Sequence, residues 1–282
     1  MEKYLYTPSK TSSSLNLWMA YPAKEEFALS SLGYMWLYKL SDTHDGINSI
    51  RVSTDTPLPS CKPDAVAFSL SFDFDFMGVL ELLDKCKIPF LAAERNDDAP
   101  LIFAGGPVIT TNPEPLKAIF DFLIIGDGET TFIKVLDILK TKTEKNEALK
   151  QLAELEGVYV PGFNKKVKKA TDELINVIYT PILSDKSYFK NTFVIEIARG
   201  CMNRCAFCTA SYINLPFRCY PYEEIIEAIN LGLKHTNKIA LLGAQISAHP
   251  DFNKIMNYLC KRIDSGENIE LGISSLRTDS VT

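Results

Sequence analysis

Short, continuously apolar segments alternate along this chain with stretches that carry apolar residues at helical spacing. No other feature constrains the fold as much. Residues 64–70 and 122–125 are apolar almost without interruption, as are 100–104. Successive side chains of a strand point to opposite faces, so such runs must be covered on both sides. Further strands are expected at 14–20, 48–52 and 88–92. Helices are expected at 28–40, where Leu29, Leu32, Met35, Trp36 and Leu40 share a face, and at 76–86 and 129–140. Strands alternating with helices predict a parallel sheet with helices on both faces. Residues 1–142 therefore read as an α/β, doubly wound, flavodoxin-like domain.

The rhythm breaks at 143–188. A charged helix at 144–155 precedes strand-like pieces at 157–160 and 176–179, punctuated by Pro161, Gly162 and Pro181. This stretch reads as a connector with a helix and a small hairpin. A second βα run follows over 189–282. Strands are expected at 193–198, 238–242 and 269–273, with helices at 222–234 and from Pro250 to about Ile263. That is the pattern of a TIM-like barrel, which carries its chemistry on the loops after the strands.

The loop after 193–198 holds Cys201, Cys205 and Cys208. Iron–sulfur clusters are held chiefly by cysteine thiolates. A four-iron cubane wants four ligands, so three clustered cysteines leave one iron open to a substrate or cofactor. A structural zinc site would need a fourth ligand, usually from a second pair. Cys219, His235 and His249 form no such pair. The cysteine count is seven, an odd number, and the N-terminus shows no secretory signal. Both argue for a reducing, cytoplasmic setting rather than disulfides.

Composition narrows the rest. The 282 residues are 46% hydrophobic and 23% charged, as in ordinary globular proteins. A net charge of −5 gives no strong nucleic-acid signal. The one basic run, 165–169, reads as a solvated turn. No apolar stretch approaches the roughly 18 residues of a membrane span.

The C-x3-C-x2-C spacing, with Phe207 directly before the last cysteine, resembles the signature of the radical S-adenosylmethionine (SAM) enzymes. The resemblance implies a [4Fe–4S] cluster on Cys201, Cys205 and Cys208. It implies SAM on the open iron and reductive cleavage of SAM to start radical chemistry on an unknown substrate. It also implies a reducing partner such as flavodoxin or ferredoxin. In that family a Gly-Gly-Glu-like motif after the second barrel strand holds the SAM amino group. Here the stretch is Leu242, Gly243, Ala244 and Gln245, so an amide replaces the carboxylate. After the third strand, Arg277 could pair with the SAM carboxylate or form a surface salt bridge, and Ser274 of the same stretch is counted among the cofactor-binding candidates, as is Phe207. Radical SAM cores resemble partial barrels of about six units, a subset of the eight-unit barrel. Three units precede Val281 and Thr282, so the chain is expected to be a fragment or truncated product ending within its barrel.

The N-terminal half is similar to that of an uncharacterised radical SAM family with a cobalamin-binding-like domain. The runs at 30–34 (Ser-Ser-Leu-Gly-Tyr), 104–107 (Ala-Gly-Gly-Pro), 112–115 (Asn-Pro-Glu-Pro) and 125–129 (Ile-Gly-Asp-Gly-Glu) carry that likeness. Cobalamin domains that supply a histidine ligand use Asp-x-His-x-x-Gly after the first strand. The nearest string, Asp42 to Gly46, follows the first helix and has its glycine one place early. His44 therefore reads as a loop residue, and cobalamin is not expected through a histidine. Gly105, Gly106, Gly126 and Gly128 could approach a ligand or could form turns. Cys86 and Cys260 read as core residues and Cys219 as a possible extra functional thiol. Two alternatives stand beside the enzyme: a cluster-bearing or inactive scaffold, and a zinc-stabilised binding module.

Overall fold

The computed structural model describes the chain apart from residues 10–12, 165 and 278–282. Lys165 of the basic run, and the chain end with Val281 and Thr282, lie outside the described residues. The chain divides into two compact units, one of Tyr6–Asp172 and one of Met1–Leu5 with Glu173–Thr282. Strand β1 (Glu2–Tyr4) belongs to the latter.

The Tyr6–Asp172 unit is built from β2 (Leu15–Tyr21), α1 (Glu25–Ala28), α2 (Leu32–Asp42), β3 (Ile47–Ser53), β4 (Ala65–Ser69) and α3 (Asp75–Lys85). It continues with β5 (Leu101–Gly105), α4 (Pro107–Thr111), β6 (Phe122–Ile124), α5 (Glu129–Leu139), α6 (Lys145–Ala153) and β7 (Val158–Tyr159). Its sheet runs β3-β2-β4-β5-β6-β7. The first five strands are parallel, and β7 pairs antiparallel with β6. The parallel strands thus follow the doubly wound 2-1-3-4-5 order expected of a flavodoxin-like domain.

Burial explains why these runs become strands. Leu17, Trp18, Met19 and Ala20 are all buried along β2, so both faces of the sheet are covered. One face packs Trp18, Val66 and Phe68 against Val79, Leu82 and Leu83 of α3. On β5 and β6, Phe103 stacks on Phe122 at 4.5 Å between ring centroids. In α5, Phe132, Val135, Leu136 and Leu139 fall on one face and are buried. Each such side chain contributes about 1.5–3 kcal/mol of apolar burial.

Several expected elements differ. No strand forms at 88–92. Pro89 lacks an N–H for a ladder, and the Arg95 guanidinium takes up the Pro89 and Phe90 carbonyls instead. The helix expected at 28–40 is two pieces, α1 and α2, separated at Leu29–Ser31. The stretch 143–188 does not stand apart as a connector. Its first part, through Asp172, completes the six-stranded sheet with β7 and lies in that unit, because Val158 and Leu152 are apolar and fully buried there. Its remainder lies in the other unit.

That other unit continues from β1 with β8 (Ile182–Ser184), β9 (Phe193–Glu196), β10 (Ala198–Arg199), α7 (Thr209–Ile213), β11 (Arg218–Cys219), α8 (Tyr222–Leu233), β12 (Lys238–Leu242), α9 (Phe252–Asp264) and β13 (Glu270–Ile273). β1 pairs antiparallel with β8, so the N-terminal residues close a small ribbon here. β9, β12 and β13 form one parallel sheet in the order β13-β12-β9. Helix α8 buries Ile225, Ala228, Ile229 and Gly232. Gly232 is needed there: a Cβ would stand 2.4 Å from the Phe193 ring, so its absence lets α8 lie close over β9. The βα repeat expected of a TIM-like half-barrel is therefore present. Among the described residues, no helix is long and apolar enough to cross a membrane.

Candidate iron-sulfur site

In a parallel sheet the strands' carboxyl ends share one edge, and the loops there can converge. The loops after β9–β10, β12 and β13 do so. Ile197 N–H donates to the Leu242 carbonyl at 2.9 Å, tying the end of β9 to the end of β12. Ser274 Oγ–H donates to the Leu241 carbonyl at 3.3 Å, and Ile246 N–H to the Ser275 carbonyl at 3.3 Å. Gly243 sits at this junction: a Cβ would approach the Ala198 carbonyl to 3.0 Å.

The cysteine loop begins at Gly200, whose φ of +85° suits a glycine. A Cβ there would lie 2.5 Å from the Asn214 carbonyl. Cys208 N–H donates to the Cys205 carbonyl at 2.9 Å, folding the C-x2-C segment into a turn. Cys208 then stands directly before α7, and Ser211 Oγ–H donates to its carbonyl at 2.8 Å. Tyr212 O–H reaches back to the Arg204 carbonyl at 2.9 Å. Cys201, Cys205 and Cys208 are free and half-buried. In chemistry the donor set fits a cluster: three free thiols on one loop at the carboxyl edge of a βα sheet. The three thiols are not drawn together here: among the described residues no three or more His, Cys, Asp or Glu side chains are gathered so that they could hold a metal ion.

Cys201 meets the β12 loop directly. Its Sγ–H donates to Gln245 Oε1 at 3.5 Å. Asn203 Nδ2 donates to Cys201 Sγ at 3.5 Å and also to Gln245 Oε1. Of the candidate SAM-binding residues, Gly243, Gln245 and Ser274 thus lie at the junction of the three loops. Phe207 is 90% exposed beside Cys208. Arg277 is exposed, three residues beyond Ser274.

Behind the loop lies a set of groups that the motif does not disclose. Arg199 binds Glu196 with Nε and Nη2, and Tyr220 O–H donates to the same carboxylate at 3.3 Å. Buried His249 spans the Tyr220 carbonyl and the Asp251 N–H at 2.9 and 3.0 Å. Both of its nitrogens are therefore occupied in structure. Cys219 lies in β11, and burial pushes its thiol up to about 11. That disfavours the thiolate that function would need. Cys260, read as core, is exposed on α9, while Cys86 packs against the core of the other unit.

In the Tyr6–Asp172 unit, His44 follows α2 at the amino-terminal end of β3. Its Nε2 lies 2.9 Å from Asp137 Oδ1 and 3.0 Å from Lys140 Nζ. Ligands of such folds bind at the opposite, carboxyl edge. At that edge the glycine turns are closed by protein. A Cβ on Gly106 would lie 2.4 Å from the Leu70 carbonyl, and one on Gly126 would lie 2.2 Å from the Ala170 carbonyl. Asp127 Oδ2 accepts from Asp172 N–H at 3.0 Å, which holds the same turn. Gly106 and Gly126 serve backbone packing there.

A family model described as radical SAM proteins, N-terminal, matches residues 37–161, and one described as the radical SAM superfamily matches 195–280. The uncharacterised protein MJ0966 of Methanocaldococcus jannaschii is 27% identical over 227 residues, which cover 77% of this chain and 45% of that protein. The ribosomal protein uS12 methylthiotransferase RimO of Prochlorococcus marinus is 30% identical over 138 residues, covering 42% of this chain and 30% of that one. The radical S-adenosylmethionine methyltransferase TsrM of Kitasatospora setae, solved with cobalamin and a [4Fe–4S] cluster bound, is similar in fold. The TM-score is 0.59 at 13% identity, over 92% of this chain and 54% of that one. The chain spans about half the length of MJ0966 and TsrM.

Proposed function

Because this chain belongs to the radical SAM superfamily, with that superfamily's N-terminal domain ahead of its βα core, we propose that Cys201, Cys205 and Cys208 ligate three irons of a [4Fe–4S] cluster and leave the fourth to SAM. The observation that carries this reading is the placement of three free thiols on one loop at the carboxyl edge of a parallel sheet. When bound, cluster and SAM supply one-electron cleavage of the sulfonium, yielding methionine and a radical fragment that attacks an unknown substrate.

The chain's own residues have separate tasks. Gln245, in the loop that touches Cys201, accepts from the SAM ammonium through its amide carbonyl. Arg277, after β13, would offer the SAM carboxylate the two parallel donors of a guanidinium, and Ser274 would hold the same loop to β12 through the Leu241 carbonyl. Phe207, exposed beside Cys208, would supply an apolar ring next to a cluster held there. The electron would come from a reducing partner such as a flavodoxin or ferredoxin. The activities for which TsrM and RimO are named, methyl and methylthio transfer, support transfer of a methyl or methylthio group as the reaction class.

Anaerobic reconstitution with iron and sulfide tests the reading. About four irons per chain, a reducible cluster by electron paramagnetic resonance (EPR), and 5′-deoxyadenosine from reduced protein plus SAM are expected. Zinc alone, or no reducible cluster, sinks it.

TsrM's bound cobalamin supports a second, narrower proposal for the Tyr6–Asp172 unit. Any cobalamin it takes is held without a histidine ligand, because His44 is engaged at the amino-terminal edge and the chain's other two histidines belong to the other unit. A cobalamin titration followed by absorbance should give the same spectrum for wild type and His44→Ala. A histidine-ligated spectrum lost in the variant overturns it.

A further inference from the structure

Asn203 lies between the first two cysteines, and the role assigned to it rests on the cluster proposed for them. Its amide nitrogen donates to two acceptors at once: Cys201 Sγ at 3.5 Å and Gln245 Oε1. Gln245 Oε1 also accepts from the Cys201 thiol at 3.5 Å. The three groups form a closed triangle on an otherwise exposed loop.

Ligation of iron changes one side of that triangle. The Cys201 thiol proton leaves, because the thiolate is the metal ligand. Gln245 Oε1 then has no donor from sulfur, and two electron-rich atoms stand 3.5 Å apart. Within the triangle, Asn203 is the remaining donor to both. One N–H stabilises the sulfur, and the other holds the Gln245 carbonyl.

We propose that Asn203 is a positioning residue that raises the reduction potential of the cluster through an N–H···S bond to Cys201, with neutral Gln245 as its second anchor. Hydrogen bonds to cluster sulfurs are among the determinants of potential. The direction follows from charge. The reduced cluster places more negative charge on its sulfurs, so a donor stabilises the reduced form more than the oxidised one. A carboxylate at either position would do the reverse. This gives a reason for an amide at 245: a carboxylate there would stand beside an anionic sulfur, at a cost that the neutral side chain avoids.

The test is a dye-mediated redox titration of anaerobically reconstituted protein, followed by the EPR signal of the reduced cluster. Wild type, Asn203→Ala, Asn203→Asp and Gln245→Glu are compared, after iron and sulfide assays. Asn203 is exposed, so its replacement leaves the core untouched. Equal iron content with a negative shift of midpoint potential is expected in all three variants, larger for Asn203→Asp than for Asn203→Ala. A wild-type cluster whose potential is the same in every variant overturns the inference and leaves the cluster reading standing. Iron lost in both Asn203 variants makes the residue a folding element of the loop and also overturns it. A wild-type chain that takes up no cluster removes both readings together.

Discussion

Arg199 grips Glu196 at two points, Nε to Oε1 at 3.0 Å and Nη2 to Oε2 at 2.7 Å. The side chains are only 13% and 15% exposed. The pair bridges the end of β9 to β10, two residues before Cys201, so it sets where the cysteine loop leaves the sheet. A lysine has the charge but not the planar fork. Arg199→Lys should therefore cost about 1–2 kcal/mol in chemical unfolding, below the usual range for two charge-assisted bonds because one contact survives. It should also speed iron release to a chelator after reconstitution. Unfolding and iron release both matching wild type would refute this.

The most deeply buried ion pair described joins Arg95 to Asp121, at 3.1 Å and with side chains 0% and 3% exposed. Asp121 also accepts from Ile102 N–H at 2.8 Å and pairs with Lys145 at 2.9 Å. One carboxylate thus joins the 89–95 loop, β5 and α6. Asp121→Ala leaves a guanidinium buried without its counterion, and breaking such a pair costs about 3–5 kcal/mol. Asp121→Asn keeps an acceptor for Ile102 and should lose less. Urea unfolding of both variants orders them; an alanine variant within about 1 kcal/mol of wild type would contradict the argument.

The strands that the sequence discloses are those whose apolar runs fix burial locally. Val66, Phe68, Ile102 and Phe103 lie in such runs and form the central strands. The cysteine spacing likewise discloses the loop without any structure. Less legible are the features set by distant partners. β1 is a strand only because Ile182–Ser184 lies opposite it, 178 or more residues away in sequence, as the Tyr4–Ile182 pair shows. The 88–92 run has strand-forming residues, yet Arg95 claims its carbonyls. Asn203 and Gln245 lie 42 residues apart, and nothing in either local pattern announces their contact. The Glu196–Arg199 fork is close in sequence, but only the short break between β9 and β10 turns both side chains together.

Cys219 should be the slowest of the half-buried thiols to react. Burial lifts it from its ordinary value of 9.0 to about 11, so at pH 8 only about one molecule in a thousand carries the thiolate. Alkylation of its peptide, followed by mass spectrometry, should stay slow at pH 8 and accelerate toward pH 11. The sign for stability follows. Between pH 9 and 11 the native state holds a proton that the unfolded chain has released, so this group's contribution is lost as pH rises. Rapid alkylation at pH 8 would show that the thiol is not shielded. Cys219→Ala should leave reconstituted iron unchanged, whereas alanine at 201, 205 or 208 should reduce it.

Two helix glycines should respond to alanine with opposite signs. Intrinsic propensity favours alanine inside a helix by about 0.5–1 kcal/mol. Gly33 in α2 has nothing within 4 Å of the position a Cβ would take, so Gly33→Ala should realise that gain. Gly78 in α3 faces the loop after β2, and its Cβ would stand 1.9 Å from the Pro22 carbonyl oxygen and 2.6 Å from the carbonyl carbon. Those are backbone atoms, which cannot turn aside as a flexible side chain would. Either α3 lifts from the sheet, loosening Val79, Leu82 and Leu83 in the core, or the Pro22 loop shifts. Forcing extra volume into a packed contact costs about 1–3 kcal/mol, which exceeds the propensity gain. Gly78→Ala should therefore lower stability in urea unfolding while Gly33→Ala raises it. Equal shifts of the same sign would mean that the approach of α3 to Pro22 does not govern how that helix sits.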